Sequence, residues 1–523
     1  NKVDVELVVE IEQAQEIFSL YREMRKVTGA QLDDCHAPID MLDVKFLREA
    51  AEWGYRLPTA TKPEDGWFYG GYVFNMTPGV HEHCIYPDVS SEYPSAITQN
   101  NVSPETIVGT KEDLEASEYT EDDCVWSYVD TRADSVKQET DPEYEKLYYL
   151  KPSIKEGFVS SVVEEIMVLT EQTSGKRREA LKRSRNAVWG YLGDSDSYGT
   201  GSRLFNKKMA ESITLCGRKV IQKAGELIVD NVADPQARVI SGDTDSVVTS
   251  LPSAENGEQA LEWGFEATEK TNDVLAHFCA DEFGLESVDD ADMVLELEDY
   301  SEKMFMGEAK KRYATLESWN DEDMWLDEPE LSVKGYEYVR SDVAQVTKDA
   351  QAYVFNAIMR HPKGKAHELV SNYVNWLHER IESGAYPSER LGRPFGIGQD
   401  LDEYGSPSRR PQPSYRGARY ANEVIYEGEA IGEGDKPLLF YVNGVGGDLP
   451  STYPDWDVAG GGDRVDAISV NEAKDLPAEA HIDTETMIQK TVKDPLGRIF
   501  DVLGWDYGEM LLDSDQTDLA NYM

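Results

Sequence analysis

Cysteine is scarce in this chain: five in 523 residues, at Cys35, Cys84, Cys124, Cys216 and Cys279, with no C-x-x-C spacing. That scarcity argues against a disulfide framework and against a structural zinc site, and it points to a cytoplasmic location. Long apolar runs are also missing. No stretch reaches the roughly 20 residues a membrane helix needs, and no signal-peptide pattern opens the chain, so no membrane role is expected. The first residue is Asn1 rather than Met, which suggests a fragment or a processed product. Cations are the third shortage. Lys and Arg total 51 against 100 Asp and Glu, giving a net charge of −49 and a pI near 4.4. A nucleic-acid binder normally shows the opposite balance. Either the protein avoids nucleic acid, or it works in concentrated salt, where the screening length falls to about 3 Å at 1 M. The acid is spread along the whole chain, as on a halophile surface.

What is present is ordered. Apolar periodicity predicts helices over 5–26, 40–53, 157–170, 176–190, 207–231, 343–384 and 484–503. Strand-like pieces cover Trp67 to Phe74 and His81 to Tyr86, and a strand–turn–strand spans Val239 to Leu251. The very acidic stretch 110–147 reads as a solvated surface insertion, and 385–465 as Gly- and Pro-rich and irregular. Two signals fail their own tests. His81-x-His83-Cys84 has no second ligand cluster, and the glycines near 444–447 and 460–462 lack the G-K-S/T of a phosphate loop.

Three strings carry chemistry in a fixed order. Asp88-Val89-Ser90-Ser91-Glu92-Tyr93-Pro94-Ser95 follows a short hydrophobic strand. Lys182 to Gly190 (KRSRNAVWG) lies in a helix where Lys182, Asn186 and Trp189 share one face. Ser241 to Ser246 (SGDTDS) sits in the strand–turn–strand. Carboxylates at strand ends together with a cationic helix are the division of labour that two-metal nucleotidyl transfer requires.

The three strings resemble motifs A, B and C of the family B (alpha-type) DNA polymerases. The acidity likens the chain to the polymerases of halophilic archaea or their viruses. The resemblance implies an α+β right-hand fold: an antiparallel palm sheet, helical-pair fingers and a mostly helical thumb. It divides the chain into 1–60, a remnant leading from a missing N-terminal exonuclease region; 61–156 and 201–345, the palm; 157–200, the fingers; 346–510, the thumb; and 511–523, a tail.

By the same resemblance, Asp88, Asp243, Asp245 and Lys182 are catalytic, and Asp88, Asp245 and the Val89 carbonyl hold two Mg²⁺ ions, with Mn²⁺ as a possible substitute. Ser91, Tyr93 (a steric gate against ribose), Arg177, Lys182 and Asn186 bind the deoxynucleoside triphosphate. Primer-template DNA is met by Tyr69, Gly70 and Gly71, by Lys310, Lys311, Arg312 and Tyr313, by Lys334 and Arg340, and by Arg416 and Arg419 in a basic–aromatic stretch with Arg409 and Arg410. Gln516, Leu519 and Tyr522 match a sliding-clamp peptide.

The chain departs from the family pattern at several places. Glu92 stands where the family has Leu, Ala187 and Trp189 differ from N-S-x-Y-G, and Thr170 stands where a cation is usual. Ser341 replaces an Arg and Met523 an aromatic. Residues 8–18 offer neither the Tyr nor the Asp of the Y-x-x-x-D exonuclease motif, so no proofreading is expected. The expected function is template-directed DNA synthesis. Its rivals are a polymerase-like DNA-binding or scaffolding subunit without turnover and, more distantly, a two-metal nuclease.

Overall fold

A computed structural model describes residues 2–62, 66–74, 77–195, 200–404, 411–454 and 463–512. The proposed clamp peptide, Arg409, Arg410 and the glycines 460–462 lie outside them. The chain forms two compact units: residues 1–75 with 84–300, and residues 76–83 with 301–523.

In the first unit, helices α1 (Lys2–Gln15), α2 (Ile17–Thr28) and α3 (Pro38–Glu52) come first. The single helix expected over 5–26 is broken at Glu16, which adopts φ +50°. Then follow strand β1 (Val73–Phe74), the long strand β2 (Gly79–Val89), of which the part from Cys84 belongs here, and α4 (Glu92–Gln99). Next are β3 (Ile107–Gly109), α5 (Lys111–Ala116), β4 (Cys124–Val129), α6 (Asp134–Lys137) and β5 (Glu145–Leu150). The antiparallel pair α7 (Phe158–Glu171) and α8 (Gly175–Gly193) precedes α9 (Lys207–Asn231), the hairpin β6 (Arg238–Asp243) and β7 (Ser246–Ser250), α10 (Gly257–Phe283), and β8 (Leu295–Met306) as far as Tyr300. The strand order is β1-β6-β7-β2-β8.

Helix α9 is the spine of this unit. Asn206 caps it by accepting from the Met209 amide, and residues from Met209 to Ile228 are buried on most of its circumference. The expected helix 207–231 is therefore observed residue for residue. The acidic stretch 110–147 is not a solvated insertion. It contributes β4 and the start of β5 to a three-stranded sheet, β3-β5-β4, in which Val125, Leu147 and Tyr149 are fully or almost fully buried. Ser127 and Tyr149 hydrogen-bond Ser212 of α9. Its carboxylates occupy the loops and turns, and the strand interiors carry the apolar residues. Helices α2 and α3 dock on α8, where Leu20, Met24, Ala30, Cys35, Met41 and Ala180 form a small core.

In the second unit, the remainder of β8 pairs with β9 (Tyr313–Asn320), which pairs with β10 (Met324–Lys334). Two helices follow, α11 (Gln345–Arg360) and α12 (Lys363–Glu382). Pro362, which has no amide hydrogen to give to a helix, separates them. The segment expected to be irregular contains a sheet of β11 (Arg393–Pro394), β12 (Leu438–Val445), β13 (Ala467–Val470) and β14 (Ala480–Ile482). The C-terminal part is thus mixed rather than mostly helical. Its core joins Phe355, Val374, Phe440, Ile468, Leu496 and Phe500. All five cysteines are buried, and none forms a disulfide. Among the described residues no helix is long and apolar enough to cross a membrane.

Candidate active site

Register brings the carboxylates together. Asp88, the penultimate residue of β2, lies opposite Ser246 of β7, and Ser246 also lies opposite Asp243 of β6. The Val89 amide donates to the Asp245 carbonyl (2.8 Å), and the Ser90 amide to the Val294 carbonyl (2.9 Å). Strand β2 is therefore locked to the turn that carries Asp243 and Asp245. On β8 the alternation Leu295-Glu296-Leu297-Glu298 buries both leucines and leaves both glutamates exposed.

The turn itself is strained. Thr244, a β-branched residue, has φ +67°, a conformation that costs on the order of 1–3 kcal/mol. Its amide donates to the Tyr72 carbonyl at 2.9 Å. Its side chain fills the space beside Gly71, where a Cβ would come within 2.6 Å of it. Glycine at 71 is required by this close approach. Arg218 of α9 holds the same loop from the other side, donating to the Gly70 and Gly71 carbonyls (3.2 and 3.3 Å) and resting on the Tyr72 ring at 4.5 Å. Tyr69 is buried, with its hydroxyl on the Thr140 carbonyl and its own carbonyl accepting from Thr214. Within this unit, the Tyr69-Gly70-Gly71 loop seats the Asp-Thr-Asp turn. Sequence reasoning missed Arg218, whose role is visible only once α9 is placed.

Burial and neighbouring negative charge raise the Asp88 carboxyl to about 8, through desolvation first and then Asp245, Glu298, Glu296 and Asp299. Glu92, the first residue of α4, is 4% exposed and lies over Gly217 of α9, where a Cβ would collide with its carboxyl. Its Oε1 has no hydrogen-bond partner. Burial, then Asp245 and Asp88, push its carboxyl well above the ordinary range. Ser91 precedes it with φ +61° and a buried, unpartnered hydroxyl. Tyr93 follows, half-buried, with its phenol raised by desolvation and then by Glu92. Its ring meets Trp189 of α8 at 4.9 Å, and Trp189 donates from Nε1 to the Ala210 carbonyl of α9 (3.1 Å). The indole at position 189 therefore bridges α4, α8 and α9.

Helix α8 presents its cations on different faces. At 3.6 residues per turn, Arg178, Lys182, Arg185 and Trp189 fall within an arc of about 60°, while Arg177 lies about 140° from Lys182. Arg178, not Arg177, continues the face that Lys182 and Trp189 define. Lys182 and Asn186 are exposed. They line a cavity of 430 Å³ with Tyr21, Met24, His36 and Met41 from the N-terminal helices. Thr170 of α7 is buried and donates to the Ile166 carbonyl.

In the second unit, Lys310-Lys311-Arg312-Tyr313 forms the turn into β9. Lys310 and Lys311 are exposed, and Lys311 has φ +60°. Tyr313 pairs with Lys334 across β9 and β10. Gly335 (φ +72°) lies so close to the Lys311 carbonyl that a Cβ would be 2.1 Å from it. Arg340 is exposed and paired with Asp342 (2.7 Å). Arg416 is buried: its Nη2 reaches both Asp466 carboxylate oxygens (2.6 and 2.7 Å), its guanidinium lies 5.5 Å from the Tyr453 ring, and Tyr453 donates to the same Asp466. Arg419 pairs with Asp402 at 3.2 Å. His81 hydrogen-bonds the Thr77 carbonyl.

The profile of DNA polymerase family B matches residues 41–409. The chain is 25% identical over 400 residues to DNA polymerase 2 of Aeropyrum pernix, covering 72% of this chain and 41% of that protein. It is 24% identical over 477 residues to DNA polymerase II of Escherichia coli, covering 87% and 52%. It is also similar, at 24% identity, to a DNA polymerase of Thermococcus gorgonarius, covering 76% and 46%. The chain thus spans about half the length of these curated relatives. The fold matches the structure of the family B DNA polymerase from the hyperthermophilic archaeon Pyrobaculum calidifontis with a TM-score of 0.62 at 22% identity, covering 95% of this chain and 55% of that one. With the matched profile running through both the Asp88 strand and the Asp-Thr-Asp hairpin, the chain belongs to DNA polymerase family B.

Proposed function

We propose that the chain carries out template-directed DNA synthesis, extending a primer with deoxynucleoside triphosphates. The observation that carries this reading is the pairing of Asp88 with the Asp-Thr-Asp turn in a buried setting, where desolvation first and then the Asp245 charge raise the Asp88 carboxyl to about 8. Two carboxylates that repel one another are stabilised by a shared cation. The donors present are all oxygen: Asp88, Asp245 and the Val89 carbonyl, which suits Mg²⁺. Among the described residues no three His, Cys, Asp or Glu side chains converge as a metal site, so water and substrate oxygens would complete each shell. Bound there, a pair of ions would lower the pKa of the primer hydroxyl and neutralise the phosphates.

The chain's own residues do the rest. In this reading the carboxylate-bearing sheet is the palm, α7 and α8 are the fingers, and residues 346–510 are the thumb. Tyr93, held against Trp189, sets the floor under the sugar and excludes a 2′-hydroxyl. Lys182 and Asn186 reach the nucleotide, and the exposed Lys310, Lys311 and Lys334 meet the DNA backbone. The dispersed acid suits work in concentrated salt. No proofreading is assigned to α1 and α2. The tail is assigned to a sliding clamp.

Primer extension with Mg²⁺ and four deoxynucleotides, titrated from low to multimolar KCl, tests the proposal. Asp88→Ala with Asp245→Ala serves as the blank. Extension at high salt that is lost in the double variant supports it. One observation favours a second reading, a DNA-binding subunit without turnover: the buried Glu92 carboxyl beside the pair. Primer-template binding without extension at any salt or metal concentration would establish that one.

A further inference from the structure

We propose that Arg185 is a phosphate-binding cation of the nucleotide site, projecting from α8 one turn before Trp189. The inference rests on the polymerase reading above and deepens it. The motif spacing does not single out this residue.

Four observations carry it. The first is helical phase: Arg185 lies in the same 60° arc as Arg178 and Trp189, and Trp189 is fixed against Tyr93 at 4.9 Å. The face is thus oriented by a contact with the residue that follows Ser91 and Glu92. The second is shared neighbours. Glu296 of β8 acts electrostatically on both Arg185 and Asp88, so both groups lie within electrostatic range of one carboxylate.

The third is incomplete compensation. Arg185 is half-buried and lies in the electrostatic range of Arg178 and of the carboxylates of Glu171 and Glu296. Its Nε has a long bond, 3.4 Å, to Asn186 Oδ1. Burial and then the neighbouring Arg178 depress its basicity. Two guanidinium groups on one helix face suit a polyanion, because each can meet phosphate oxygens with a planar fork of donors. The fourth is the facing helix. No Lys or Arg occurs between Lys155 and Lys176, and Thr170 is buried with its hydroxyl turned to its own backbone. Helix α7 therefore brings no cation to the site, which leaves α8 to supply it within this helix pair.

Arg183 is the internal control. It lies on another face of α8, is exposed, and bonds Glu179 at 2.8 Å.

The test compares the full-length protein with Arg185→Ala, Arg185→Lys and Arg183→Ala. Equilibrium binding of dATP and of deoxyadenosine to the protein on a chain-terminated primer-template is measured, together with the KM and kcat of single-nucleotide extension and the melting temperature. Arg185→Ala should weaken dATP binding about 10- to 100-fold, the range expected on losing charged hydrogen bonds, and leave deoxyadenosine binding unchanged. Arg185→Lys should recover part of the loss and Arg183→Ala should show none. Unchanged dATP binding in a folded Arg185→Ala protein overturns the inference. So does an equal loss for deoxyadenosine, which would mark a structural role. If the wild-type protein never extends primer but loses dATP binding on Arg185→Ala, the polymerase reading falls and the phosphate site stands. If the wild-type protein binds no dATP, both fall.

Discussion

Two arginines in two regions of this molecule show how little the residue type alone reveals. Arg416, in the helix Pro413–Tyr420, is 4% exposed and grips both oxygens of Asp466 while Tyr453 donates to the same carboxylate. Arg185, on α8, is half-buried beside another arginine, with two carboxylates acting on it from α7 and β8. The first guanidinium gives both terminal nitrogens to fixed protein acceptors, the Pro411 carbonyl and the Asp466 carboxylate, and therefore serves the fold. The second shares its surroundings with a like charge, Arg178, as well as with carboxylates. In a protein with twice as many acids as bases, an arginine is readily neutralised, so an arginine that is not fully matched is informative.

The comparison can be broken most severely at Arg416. Arg416→Ala should destabilise the folded state by about 2 kcal/mol, less than the 3–5 kcal/mol of a fully buried pair because Asp466 keeps access to water. Arg185→Ala should shift stability by less than about 0.5 kcal/mol, because its one hydrogen bond to Asn186 is long, at 3.4 Å. Chemical denaturation of the two variants reads the contrast directly, and equal losses would collapse it.

Glu92 extends the contrast to carboxyls. Its folded-state pKa is raised above the ordinary 4.5 by burial and by Asp245 and Asp88. Below 4.5 it is protonated in both states and costs nothing. As pH rises past that value the unfolded chain ionises while the folded one resists, so stability falls until the folded pKa is reached and is constant beyond it. Glu92→Gln and the wild-type protein should therefore melt together near pH 4 and separate as pH rises toward 8, the variant melting higher by a margin smaller than the Arg416→Ala loss. A constant margin across pH would place the Glu92 carboxyl in water.

The exposed Lys310 and Lys311 mark the mild end of the series. Lys310→Ala with Lys311→Ala should leave melting unchanged, and should reduce the slope of log DNA affinity against log salt by about 2, about 1 for each phosphate no longer neutralised. An unchanged slope would remove this turn from the DNA path.

Much of the site was legible in the chain. Strand-end carboxylates and the Asp-Thr-Asp hairpin were readable because alternation and turn chemistry are local. Helices α7 and α9 were readable because their apolar period is long, and α8 because Lys182, Asn186 and Trp189 recur at helical spacing. Other features were hidden for physical reasons. Strands β4 and β5 were masked because the carboxylates between them dominate the local composition, although Leu147 to Leu150 are buried in sequence. Strand β12 was lost among glycines, and the break at Glu16 has no Pro or Gly to signal it. Gly71 was read as a DNA contact, and the structure adds its packing against Thr244, a partner 173 positions away that only the fold brings near. Arg185 was overlooked because motif spacing selects Lys182 and Asn186, whereas counting helical phase from Trp189 would have found it.

The five cysteines have a practical consequence. All are sequestered in packed interiors, at 0–1% exposure, and burial raises the thiols of Cys35, Cys124, Cys216 and Cys279 further from the reactive thiolate. The native chain is therefore already a quiet background for maleimide chemistry. A single cysteine introduced at an exposed position of α8 would take up a fluorophore alone, and the approach of a nucleotide to that helix could be followed by its emission without first rebuilding the interior.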